Sequence, residues 1–151
     1  MKHLYLSILF ISLFTFNSIH AQTIPNASFE KSVKNQPTGW NFETWDKGCT
    51  SEWSNIAHKG TRSIAITNSK KGWAHWSCKV PLLPYTHYRF SGWIKTENVV
   101  GDNNVGAGFS IGNIETPEIK PIASTNVWQK VEFEFDSKGD HIDGFDNLAR
   151  N

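Results

Sequence analysis

Apolar side chains that recur at every second position can share one face only if the chain is extended, because successive side chains on a strand point to opposite sides of the sheet. That period recurs in YTHYRFSGWIK (85–95), NVGAGFSIG (104–112) and WQKVEFEF (128–135), and more briefly in RSIAIT (62–67) and WAHWSCKV (73–80). No stretch beyond Ala21 keeps apolar residues at i, i+3, i+4 and i+7 over three helical turns, so helices are not expected there. Turn formers separate the runs: Pro37 to Gly39, Lys47-Gly48, Lys59-Gly60, Pro81 to Pro84, Gly101 to Asn104, Pro117 to Pro121 and Lys138-Gly139-Asp140. Strands at this spacing predict an all-β sandwich. Tyr88, Phe90, Gly92 and Ile94 form one face of their strand, matched by Val105, Ala107, Phe109 and Ile111 and by Val131, Phe133 and Phe135. These are the expected core faces. The opposite faces hold Arg89, Ser91, Trp93 and Lys95, then Gly106, Gly108 and Ser110, then Lys130, Glu132 and Glu134.

The first 21 residues follow different rules. Lys2 precedes an apolar run from Leu4 to Phe16, and a polar patch ends at Ala21, the pattern of a cleavable signal peptide. The run is well short of the roughly 20 residues that span a bilayer as a helix. Cleavage after Ala21 leaves a chain sized for one domain, with 14 basic and 14 acidic residues spread along it. Such a balance gives no electrostatic footprint for nucleic acid or an anionic membrane. Export to the periplasm or cell exterior also permits a disulfide between the two cysteines, Cys49 and Cys78; the alternative is two buried thiols packed as small apolar groups.

Tryptophan is the residue that asks for a function. There are seven. A flat indole with polar groups at its rim suits the C–H face and hydroxyls of a pyranose ring. Trp93 with Arg89 and Lys95, and Trp73 with His75, lie on outward faces; Trp45 and Trp53 fall in segments around Cys49. These are the candidate ligand contacts, whereas Trp40, Trp76 and Trp128 are expected to pack in the core or cap its ends. Catalytic signatures are missing: there is no His-Glu-x-x-His, no Gly-x-Ser-x-Gly and no phosphate-cradling glycine loop. Glu132 and Glu134 share a strand face, but Lys130 beside them marks a solvated charged surface more than a glycosidase pair. The sequon Asn26-Ala27-Ser28 carries little weight in a chain with a bacterial-looking leader.

Several motifs, taken in order, resemble the carbohydrate-binding modules of families 4 and 9. They are NASFE (26–30) and Gly39-Trp40, HKGTRSIAI (58–66), PYTHYRFSGWIKTENV (84–99), VGAGFSI (105–111) and NVWQKVEFEF (126–135). The resemblance implies a galactose-binding-like jelly roll that binds polysaccharide without catalysis, as an accessory to, or a fragment of, a polysaccharide-degrading enzyme. A structural or adhesion sandwich with a protein partner, or a small polysaccharide lyase or hydrolase, are the alternatives. The family pattern also implies that no cofactor is required beyond one structural Ca²⁺, with Glu30 and Asp146 as its ligands; Asp140 and Asp143 do not follow an EF-hand spacing. Past residue 135 the resemblance weakens. FDNL (145–148) is either the family's closing-strand signature after an internal loss, or the chain is truncated; truncation is the preferred reading, and it implies an unpaired sheet edge.

Overall fold

A computed structural model describes residues 23–69, 72–101, 105–112, 120–138 and 145–150, the last segment for its backbone alone. The signal peptide expected over residues 1–21 lies outside these residues, as do Asp140 and Asp143. Every element is a strand: β1 (Ser32–Val33), β2 (Gln36–Pro37), β3 (Asn41–Thr44), β4 (Cys49–Ser54), β5 (Ser63–Asn68), β6 (Trp73–Cys78), β7 (His87–Val99), β8 (Ala107–Ser110), β9 (Ser124–Asp136) and β10 (Phe145–Arg150). The fold is the all-β sandwich the alternation predicts. Among the described residues no helix is long and apolar enough to cross a membrane.

One layer is a four-stranded antiparallel sheet in the order β3-β6-β10-β8. The antiparallel pairs β4-β5, a hairpin, and β7-β9, joined across β8, supply the remaining long pairings. The expected core faces are the observed ones. Phe90 and Phe133 lie opposite each other on β7 and β9 with ring centroids 5.1 Å apart, and the Tyr88–Phe135 pair stacks at 5.5 Å. From the four-stranded sheet, Phe42, Trp76 and Phe109 occupy one row of the register and face this layer. Trp40, Cys78, Val80, Leu82 and Ile111 complete the buried cluster. The indole N–H groups sheltered here are satisfied: Trp76 donates to the Ala65 carbonyl (3.1 Å) and Trp40 to that of Pro25 (2.9 Å).

Segments without alternation are shaped by turn chemistry. Lys34 and Asn35 both have positive φ (51° and 63°), which makes the β1-β2 connection a two-residue hairpin of the primed type. The Asn26 side chain ties its own turn closed, donating to the carbonyls of Lys31 and Thr38 and accepting from the Lys31 N–H. That amide is thus part of the backbone scaffold and poorly placed to carry a glycan.

Two expectations are corrected. The Cys49–Cys78 bridge is not formed, and both cysteines are buried. Cys49 packs against Gly72, at the head of β6, while Cys78 ends that strand. At the rise of an extended chain they are separated by roughly 20 Å, beyond the ~7 Å Cα limit for a disulfide. Nor does the sheet have the open edge foreseen for a missing closing strand. Residues 145–150 lie between β6 and β8 and pair antiparallel with both.

Gly92 is where the two layers approach most closely. A Cβ built there would stand 2.7 Å from Phe109 Cζ, so the ring lies directly over the glycine backbone. Gly92→Ala is expected to lower stability by about 1–3 kcal/mol through displacement of Phe109, read as a reduced urea midpoint with an unchanged slope.

Candidate functional site

The outer face of the four-stranded sheet carries an aromatic cluster at the head of β6. Within β6, Ala74, Trp76 and Cys78 point into the core, so Trp73, His75 and Ser77 point away from it. Trp73 is 43% and Trp45 68% exposed; with Asp46 they line an open depression of about 390 Å³. The turn after β3 holds this arrangement through its backbone. Trp73 N–H donates to Asp46 Oδ2 (2.7 Å), Trp45 N–H donates to the Trp73 carbonyl (3.2 Å), and Thr44 Oγ1 donates to the same carbonyl (3.0 Å). Gly72 makes the approach possible, because a Cβ there would fall 2.8 Å from Asp46 Cβ and 2.9 Å from Cys49 Sγ.

His75 lies beside the tryptophans and is only 7% exposed. Trp45 packs over it with ring centroids 5.1 Å apart, and Glu43 on β3 brings Oε2 to 3.6 Å from Nε2. Along the register Glu43, His75, position 148 and Gly108 form one transverse row. At Gly108 a Cβ would meet nothing within 4 Å, so the backbone of β8 is bare on this face, roughly 10 Å across the sheet from His75. The result is an apolar platform with acidic and imidazole groups at its rim and an open floor beside it.

The other candidates lie elsewhere. Trp93 is on the outer face of the β7-β9 pair and is 44% exposed. One side of its ring is covered by His58, stacked at 3.8 Å and 14°, and Trp128 meets that imidazole edge-on at 5.9 Å. Trp93 is therefore a clasp for the 55–62 loop. Trp53 is also in a structural role: its indole N–H donates to the Phe29 carbonyl (2.7 Å), and the Arg62 guanidinium covers the ring at 4.0 Å. Arg89 lies on the same face of β7 as Trp93. It is paired with Glu134 (2.7 and 2.9 Å), which also receives His87.

This ladder disposes of the carboxylate pair as acid catalysts. Hydrogen bonds from Arg89 and His87 hold the Glu134 carboxyl below its ordinary range, and Lys130 does the same for Glu132. Both stay ionised, so neither offers a proton to a leaving group.

Glu30 is the anchor of the 58–62 loop. One carboxylate oxygen accepts the backbone N–H groups of Thr61 and Arg62, and the other accepts the Thr61 hydroxyl, which together lower its pKa. Gly60, at φ +80°, makes room for that carboxylate. Three hydrogen-bond donors converging on one carboxylate are the surroundings of a loop anchor and a poor fit to a cation site. Among the described residues no group of three His, Cys, Asp or Glu assembles around it. Asp146, the expected second ligand, is placed within β10 by its backbone, paired with Ser77 and Ser110.

The all-β sandwich thus carries two partly exposed indoles, Trp45 and Trp73, on one sheet face. Residues 21–146 match the CBM_4_9 model, described as a carbohydrate binding domain, and the chain belongs to that family. No curated protein matches it.

The β7-β9 ladder generates a pH signature. Hydrogen bonds from His87 to Asp136 and Glu134 raise the imidazole pKa, so folding favours its protonated form. That gain is complete below the unfolded value of about 6.5 and is lost as pH rises through the raised folded value. In thermal melts, the stability advantage of the wild type over His87→Gln is expected to be largest just below pH 6.5, while the carboxylates remain ionised, and to fade in alkaline buffer.

Proposed function

We propose that the protein is an exported, non-catalytic module that binds polysaccharide across the outer face of the β3-β6-β10-β8 sheet. The observation that carries this reading is the pair of exposed indoles, Trp45 and Trp73, flanking one depression and fixed through the backbone of the Asp46 turn. Stacking on the indoles supplies affinity; Glu43, Asp46 and His75 supply orientation through sugar hydroxyls. The bare backbone at Gly108 gives an extended chain room to continue across the sheet. The amino-terminal leader pattern supports a site of action outside the cytoplasm, where polysaccharide is met. Joined to a polysaccharide-degrading domain, such a module raises the local concentration of substrate for it.

Affinity electrophoresis against plant, algal and fungal glycans tests the reading. A retarding glycan is expected. Trp45→Ala and Trp73→Ala should each weaken retardation on the order of tenfold or more, while Trp93→Ala should change stability and leave affinity near wild type. Gly108→Phe should fold normally and obstruct binding of a long chain. Capture of a cell-surface protein with no glycan retardation would replace this reading with an adhesion role. Release of soluble products from any glycan would sink the non-catalytic claim.

A further inference from the structure

The floor of the proposed site contains an unmet hydrogen-bond acceptor, and the following rests on the reading of this face as the carbohydrate site. His75 Nε2 faces the Glu43 carboxylate at 3.6 Å, which favours the tautomer with its proton on that nitrogen. Nδ1 is then a bare acceptor. It is buried and, among the described residues, has no hydrogen-bond partner. Isolated acceptors of this kind are uncommon in a folded chain, since burial removes water and nothing replaces it.

The indole packed on this imidazole is held by a described hydrogen bond at its backbone alone. Trp45 packs over the imidazole at a tilt of 38° and remains 68% exposed. Trp40, Trp53 and Trp76 are each pinned by an indole N–H bond to a carbonyl, whereas Trp45 is bound to its surroundings through its backbone N–H. Rotation of that side chain therefore uncovers His75 without disturbing the Asp46 turn that positions Trp73.

We propose that His75 Nδ1 accepts a hydrogen bond from a ring hydroxyl of the bound sugar, with Trp45 turning off the imidazole to admit it. A hydroxyl is the donor this position needs, and a pyranose presents one beside the C–H face that stacks on indole. His75 thus selects for a free hydroxyl at one ring position. Glu43 acts as its positioning residue, by setting the tautomer.

The test uses the full-length protein with ¹⁵N-labelled histidine and soluble tetraoses of glucose, xylose and mannose. On saturation with a binding tetraose, the His75 Nδ1 resonance is expected to move upfield, as an acceptor nitrogen does, while Nε2 keeps its proton. His75→Phe, which preserves a ring beneath Trp45, should bind about tenfold more weakly. An unmoved Nδ1 in saturated wild type, or unchanged affinity in His75→Phe where Trp73→Ala abolishes binding, overturns the role of His75 and leaves the platform standing. Failure of the wild type to bind any of the tetraoses or the polysaccharide panel overturns the platform and this assignment with it.

Discussion

The contact of the Phe109 ring with the Gly92 backbone sets the spacing between the two layers, and much else depends on it. Phe109 belongs to β8, at the edge of the four-stranded sheet, while Gly92 is in the middle of β7. Because the glycine has no Cβ, the ring settles onto the β7-β9 pair and meets Phe90 edge-on at 5.0 Å. Phe90 in turn packs on Phe133. The row Phe42–Trp76–Phe109 is thereby pressed inward, and the residues one register position away, Glu43, His75 and Gly108, are turned outward. Core packing on one side of the sheet thus fixes which groups the other side can offer a ligand.

The two outer faces handle their aromatic residues differently. On the β7-β9 pair, charge pairs and the His58 stack tie neighbouring elements together, and Trp93 loses one ring face to that task. On the four-stranded sheet the described hydrogen bonds act through the backbone: Asp46 and Thr44 hold Trp73 by its N–H and carbonyl, and both indoles stay partly exposed. Exposure alone separates Trp73 and Trp93 by almost nothing, at 43% and 44%. What covers each ring is the difference between a platform and a clasp.

Much of the fold was legible because it rests on period-two alternation. β6 and β8 fall within runs of that kind, β5, β7 and β9 overlap them, and the core faces follow from parity. β3 and β4 were not visible, since Asn-Phe-Glu-Thr and Cys-Thr-Ser-Glu-Trp-Ser each contain one large apolar residue and are extended by their partners. Trp73, His75 and Trp45 could be named from sequence, but not that they meet. Parity places the first two on one face, whereas Trp45 joins them through the turn after β3, a strand that pairs with the non-consecutive β6. The partners of Trp93 and Trp53 were hidden for the same reason: alternation reports direction and is silent about a loop that folds back over a ring. Glu43, Asp46 and Gly72 were missed, because Asp-Lys-Gly reads only as a turn and a glycine's close neighbour is a tertiary fact.

Gly108 has a consequence for how such a face can change. Most positions in a ligand groove are also packing positions, so a new side chain that alters recognition usually costs stability as well. At Gly108 the described residues impose no such coupling, since none comes within 4 Å of an added Cβ. Substitution there can narrow the groove, add a rim donor or extend the aromatic surface while the core is left as it was. One strand position therefore serves as an adjustable gauge for the width and chemistry of the chain this sheet admits, and a library confined to it would sample specificity in nearly constant scaffolds.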